Sequence, residues 1–437
     1  MIRRAAVAAT ATLWLAACGD NGLPPTAEVA AFPAASRPDL DVLFLIDDTT
    51  TASFEAALGD AMPSVLAALS ARPGGLPDLH IGFATSDLGT SGSLDPVHPA
   101  PSVGSGQPGG CEGAGKGGAL QINGAPVSAA FVSDVQNSSG GRDVNYTGEL
   151  ATVLASIIKG AGVNGCGFEQ SLAAVDAALA NPANTGFRRA GAGLAIVVLS
   201  DEDDCSVRDA AFFDPAESGP LGPLDSFRCT LAGVTCDQAL DTSGIKTGCR
   251  PSVGNAGLDR VDDLAAGVIA AEPDALRRAV AAIVAPATPF EVDLIAQGTP
   301  APTLRLTPSC SSDTPHGFAD PAVRTTAWAR ALGGQTYTIC DGSQRYVAPL
   351  AKQLLAVVDG DPCIRTEVGA MPTCTVREDD TPIPACPATC ASGACFDIVA
   401  DPLACADAPG EHRVAITRTM PASPDATIHV TCELPSP

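Results

Sequence analysis

The chain has 437 residues and a formal charge of −24. That length leaves room for one large domain plus a smaller one, and the acidity argues against phosphate backbones or anionic headgroups as electrostatic partners. Hydrophobic residues make up 46% and aromatics only 4%, so a full core can form, but Ala and Val must fill it.

The chain opens Met1-Ile-Arg3-Arg4, runs through about a dozen apolar or small residues and reaches Leu15-Ala-Ala-Cys18, the pattern of a bacterial lipoprotein signal. Residues 1–17 would be removed and Cys18 left as a lipidated N-terminus. The apolar run is too short to span a bilayer permanently, whereas several acyl chains on Cys18 would hold the protein stably at a membrane. Gly19 after the cysteine fits sorting to the outer membrane, and residues 18–38, rich in Pro and Ala, read as a tether. Loss of Arg3 and Arg4 takes the formal charge to about −26. Heavy use of Ala, Gly, Pro and Arg with few Lys points to a GC-rich bacterial genome.

Val42 to Ile46 is an unbroken apolar run of strand length, as expected of a strand covered on both faces. It ends in Asp47-Asp48-Thr49-Thr50-Thr51. Phe54, Leu58, Ala61, Met62, Val65 and Leu69 then recur at helical spacing, so the segment reads strand, polar loop, amphipathic helix. Hard oxygen donors at the carboxyl edge of a sheet suit a divalent cation; a helix N-cap at Thr51 is the alternative. His80 to Thr85 reads as a second strand. Residues 88–147, rich in Gly, Ser and Pro, are too long for an ordinary loop and read as an insertion. Leu150, Val153, Leu154, Ile157 and Ile158 mark a helix, and Phe168, Leu172, Val175 and Leu179 another.

Leu194 to Leu199 repeats the design of the first strand and runs into Ser200-Asp201-Glu202-Asp203-Asp204-Cys205. Two such tips in one sheet can converge on one ion, although Glu202, Asp203 and Asp204 also read as a solvated run. Residues 205–270, with Cys205, Cys229, Cys236 and Cys249 among turn formers, read as a second, disulfide-stapled insertion. Leu276, Val280, Ile283 and Val284 suggest a helix, Phe290 to Ile295 a strand, Trp328 and Leu332 a helix, Thr336 to Cys340 a last strand and Val347 to Val358 a last helix. Alternation of this kind argues a doubly wound, mostly parallel sheet. Residues 359–437 carry seven cysteines and short alternating segments such as Arg413 to Arg418 and Thr427 to Thr431, the signature of a small cysteine-rich β-type module.

The two acidic tips resemble the von Willebrand factor A family over residues 39–358. The resemblance implies a doubly wound, mostly parallel α/β sheet flanked by helices, and a metal-ion-dependent adhesion site with an Asp-x-Ser-x-Ser loop after the first strand and an Asp after a later one. Asp47, Thr49 and Thr51 match that loop, with Thr for Ser, and Asp201 matches the later aspartate. The family also places a Thr on a middle loop, and spacing to Leu172 puts that position on Cys166, a poor ligand for a hard cation. Glu169 or a water would then complete a site for Mg, Mn or Ca. The whole layout also resembles cysteine-rich lipoproteins with this domain found in myxobacteria and relatives.

Cys18 aside, fifteen cysteines remain, a density that reads as a disulfide framework in an exported chain. The odd number leaves at least one thiol free or paired in trans, with Cys166 or Cys111 the candidates. Zinc at Cys386, Cys390 and Cys395 is the alternative for that segment. Gly110 to Gly117 mimics a phosphate loop but carries Gly117 where a Ser or Thr must hold Mg, so it reads as a flexible glycine loop. His80, His98, His316, His412 and His429 show no catalytic spacing, and no Gly-x-Ser-x-Gly elbow occurs. The sequence therefore predicts a non-enzymatic envelope lipoprotein that binds or adheres to an unidentified protein or other envelope ligand through a cation at Asp47, Thr49, Thr51 and Asp201. A metal-free envelope scaffold is the alternative. A metal-assisted hydrolase, with Glu169 or Glu202 as base, is the third reading.

Overall fold

The computed structural model describes residues 25–435, apart from positions 50, 92–101, 104–109, 214–220, 222–225, 255–256, 296–302, 311–316, 387–392, 403 and 424. The leader, Cys18, Thr50, His98, His316 and Cys390 lie outside the described residues. The chain divides into two compact units, one of residues 32–361 and 423–425, the other of residues 25–31, 362–422 and 426–435.

In chain order the elements are β1 (Thr26–Pro33), β2 (Asp39–Ile46), α1 (Ala52–Ser70), β3 (Asp78–Thr85), β4 (Val132–Gln136), β5 (Arg142–Val144), α2 (Leu150–Lys159), α3 (Ser171–Ala180) and β6 (Gly193–Leu199). There follow α4 (Ser226–Gly233), β7 (Val234–Thr235), β8 (Gly244–Lys246), β9 (Arg250–Pro251), α5 (Val261–Ala271), β10 (Arg278–Val284), β11 (Phe290–Ile295), β12 (Thr303–Thr307), α6 (Val323–Ala331), β13 (Gln335–Thr338) and α7 (Val347–Asp359). The smaller unit adds β14 (Cys374–Glu378), β15 (Thr381–Ile383), β16 (Ala394–Ala400), β17 (His412–Arg418) and β18 (Thr427–Glu433).

The larger unit is built on one sheet in the order β13-β10-β6-β2-β3-β4-β5. Its first five strands are parallel, and β4 and β5 complete it antiparallel. The β2 side chains alternate between two cores. Leu40, Val42, Phe44 and Ile46 pack with α1, α2 and α7, while Leu43 and Leu45 pack with α3, α5 and α6. Burial on both faces is why the strand is apolar without a break. Phe44 stacks on Phe83 of β3 with ring centroids 5.2 Å apart. Because β2 and β6 are hydrogen-bonded neighbours, their carboxyl ends deliver Asp47 and Ser200 side by side.

Several expectations change. Leu276 to Val284 is mostly strand β10 rather than a helix; its Ala-Val-Ala-Ala-Ile-Val run is buried on both faces, and such a run has no period to separate it from a helix. Phe290 to Ile295 is a strand, but it joins the separate antiparallel sheet β12-β11-β8. The 88–147 segment contributes β4 and β5 to the main sheet, and the 205–270 segment hides α5, whose Val261, Leu264 and Val268 belong to the second core. The expected tether contains β1, which lies in a four-stranded sheet with β18, β14 and β15. Alternation in Thr26–Pro33 buries Val29 while its neighbours stay more exposed.

Disulfides staple both units. Cys205 pairs with Cys229, Cys236 with Cys249 and Cys310 with Cys340 in the larger one; Cys363 pairs with Cys405, Cys374 with Cys432 and Cys386 with Cys395 in the smaller one. Cys111 pairs with Cys166, so neither is the free thiol. With Cys386 and Cys395 joined to each other, the zinc alternative falls, since a thiolate pair is required and none is left there. Among the described residues, no helix is long and apolar enough to cross a membrane.

Candidate functional site

The site grows from the end of β2. The Asp47 N–H donates to Leu199 O at 2.9 Å, extending the β2–β6 pairing by one residue and fixing where the side chain starts. Asp47 Oδ1 then accepts from Thr49 N–H at 3.0 Å and faces Thr49 Oγ1 at 2.9 Å, while Oδ2 accepts from Ser200 Oγ at 2.8 Å. Thr51 precedes α1 but caps nothing with its side chain. Its hydroxyl donates to the Asp47 carbonyl at 2.6 Å and lies 3.2 Å from Glu55 Oε1. The capping alternative is therefore replaced by a hydroxyl that ties the loop to itself.

The middle loop is brought onto this tip by backbone pairing. Gly165 N–H donates to Asp48 O at 2.8 Å, Gln170 N–H to Ser86 O at 3.1 Å, and Cys205 N–H to Glu169 O at 2.8 Å. Gly165 must lack a side chain, because a Cβ there would overlap the Asp48 carboxylate. This stitching sets Glu169 Oε1 2.5 Å from Thr49 Oγ1. Asp47, Glu169 and Thr51 are wholly or almost wholly buried.

One hydroxyl has one proton, so Thr49 cannot donate to Asp47 and Glu169 at once. The electrostatics assign the directions. Burial pushes the Glu169 carboxyl up to about 8, with the Asp47 charge adding to it. Glu202, hydrogen-bonded to Glu169, is raised well above the usual carboxylate range by burial and by the Glu169 charge. Burial also raises Asp47, to about 6, against the lowering effect of the Thr49 and Ser200 bonds. With Glu169 and Glu202 raised further than Asp47, the Thr49 proton goes to the Asp47 carboxylate. Glu55 is likewise pushed up to about 8 by burial. Among the described residues, no lysine or arginine forms an ion pair with Asp47, Glu169 or Glu202.

Asp201 is buried beside this group; its carbonyl accepts from Asp320 N–H at 2.7 Å, and its charge contributes to raising Glu202. Asp203 and Asp204 do different work. Asp203 accepts from the N–H groups of Arg324 and Thr325 in the first turn of α6, at 2.9 and 3.0 Å. Asp204 accepts from Leu172 N–H in the first turn of α3 at 2.9 Å and pairs with the buried Arg324 guanidinium at 2.8 Å. Both caps come from a distant loop, favoured by the positive ends of the helices. They are buried rather than solvated.

Asp48 faces away from this network. Its Oδ2 pairs with Lys116 Nζ, and Ser86 Oγ donates to Oδ1 at 3.4 Å. Lys116 belongs to the glycine loop that the sequence dismissed as a phosphate-loop mimic. Ser200, Lys116 and Arg324 thus carry structural or electrostatic weight that spacing alone did not assign. Of these, Ser200 was findable, as the neighbour of Asp201.

Asp47, Thr49 and Glu169 bring buried carboxylate and hydroxyl oxygens into contact, the donor type that a hard cation takes. Cys166 supplies nothing to it, being joined to Cys111. Among the described residues, no three His, Cys, Asp or Glu side chains stand together as a metal-ligating group; the hydroxyls of Thr49 and Thr51 are what would complete a set.

Neither a family model nor a curated protein matches the chain. Among solved structures, the crystal structure of the human COPII-coat protein Sec24c aligns with 91% of this chain and 40% of that one, at 12% identity and a TM-score of 0.30. A likeness of that size carries no argument about function.

Proposed function

We propose that the chain is a cell-envelope lipoprotein whose larger unit is a von Willebrand factor A-like binding or adhesion module, using a divalent cation at the tips of β2 and β6. The observation that carries this reading is the Asp47, Thr49 and Glu169 group, in which two buried carboxylates meet at one hydroxyl and, among the described residues, no lysine or arginine pairs with either. Asp47, Thr49 and Thr51 would hold Mg, Mn or Ca, with Asp201 behind them and Glu169 at the corner that Cys166 leaves. A cation there would supply a positive centre for a carboxylate of an envelope partner, despite the acidic surface. Ser200 would hold Asp47 in place, and loading the site would compete with the protons that Glu169 and Glu202 carry. Cys18 would anchor the chain to the membrane through its acyl chains.

Calorimetric titration of the mature protein with Mn²⁺ in two buffers of different ionisation enthalpy tests the cation. Binding with proton release, lost in Asp47→Asn, is the expected result. No heat and no change in melting temperature sink the cation reading. A metal-free envelope scaffold is favoured by one observation: the Cys111–Cys166 disulfide replaces the third ligand corner with a covalent staple. That reading predicts that Asp47→Asn alters stability and leaves partner binding intact.

A further inference from the structure

We infer that Lys116 is a built-in counter-ion of the strand tip, and that its ammonium on Asp48 opposes the entry of a divalent cation at the neighbouring Asp47. Asp48 is almost completely buried, and Lys116 reaches it from a loop with its side chain only 31% exposed. Three features place that ammonium. The Cys111–Cys166 disulfide fastens the start of the loop to the middle loop of the site. Lys116 N–H donates to Asp87 O at 2.9 Å, and Nζ also donates to Ala161 O at 3.3 Å. Gly115 adopts a φ of 52° and lies against the Asp87 carboxylate, where a Cβ would overlap it, so the turn that aims Lys116 requires glycine.

The charge reaches past Asp48. Lys116 also opposes the upward shifts of Glu55 and Asp87, so one cation serves several carboxylates around the tip. A divalent ion brought to the next residue meets that fixed positive charge in a partly desolvated setting, where repulsion over several ångströms changes affinity by about tenfold or more. An ordinary surface lysine would be screened and mobile; this one is held at both the loop and the ammonium. The inference deepens the proposed cation site and rests on a cation being able to bind at Asp47 once the Lys116 charge is removed.

Mn²⁺ titration of the wild type beside Lys116→Met separates the two. If both bind, a dissociation constant at least about tenfold lower in Lys116→Met supports the inference, and equal constants overturn it while the cation site stands. Binding by the variant alone supports the inference and removes the cation from the wild type; binding by neither overturns both. Lys116→Arg should keep the wild-type constant. Should Lys116→Met fail to fold around an unpaired Asp48, the double variant Asp48→Asn, Lys116→Gln keeps the net charge and should bind as the wild type does. A tighter constant in that double variant overturns the charge argument.

Discussion

Two groups of carboxylates, all buried except the half-buried Glu202, stand at the same sheet edge and are neutralised in opposite ways. Asp203 and Asp204 are met by the Arg324 guanidinium and by the first-turn N–H groups of α6 and α3. Asp47, Glu169 and Glu202 are met by hydroxyls and by one another's protons. Burying a carboxylate costs several kcal/mol unless charge or donors compensate. The first group is thus complete as protein. The second keeps protons that a cation could replace.

The largest effect should come from breaking the complete group. Arg324→Met leaves Asp204 buried without its partner and should lower stability by about 3–5 kcal/mol, read as a shift of the denaturant midpoint. Next, replacing Cys111 and Cys166 together by Ala should cost about 2–4 kcal/mol and release the glycine loop, seen as faster amide exchange around Lys116. If the midpoint stays in place, the loop is held by its hydrogen bonds instead.

The incomplete group should show itself through pH. Folded Glu169 holds its proton to about 8, while the unfolded chain releases it near the ordinary value of 4.5. The folded state therefore binds more protons across that window. Its stability is greatest below pH 4.5 and falls as pH rises towards 8. Glu169→Gln should flatten this slope between the two limits, measured by melting in chelator, leaving the share due to Glu55, Glu202 and the other raised carboxyls. An unchanged slope would place the proton elsewhere. The smallest effect on the metal-free fold belongs to Asp47→Asn, about 1 kcal/mol or less, because the amide oxygen can still accept from Thr49 while the amide NH2 donates to the Ser200 hydroxyl, which turns its own proton to Glu202 O. Under the cation reading the same change should abolish the gain in melting temperature that Mn²⁺ gives the wild type.

Much of the edge was legible in the sequence. Unbroken apolar runs ending in Asp47 and Ser200-Asp201 identified β2 and β6, because a strand covered on both faces admits no polar residue until it leaves the sheet. Helical spacing likewise located α1, α2 and α7. The same logic misread β10, where Leu276, Val280 and Ile283 match helical spacing by chance within an Ala- and Val-rich run. Thr51 looked like a cap because its type and position suit one, but its hydroxyl found the Asp47 carbonyl.

What the sequence determined by itself is local: where apolar runs stop, which residues repeat at the period of a helix, and that oxygen donors gather at the ends of two strands. These properties follow from neighbours a few positions apart. The tertiary structure alone decided which acids are neutralised. Arg324 lies 120 positions from Asp204 and Lys116 lies 68 from Asp48, and the Glu169 to Thr49 contact also spans 120. Compensation of a buried charge depends on distance in space, and spacing in the chain carries no record of it.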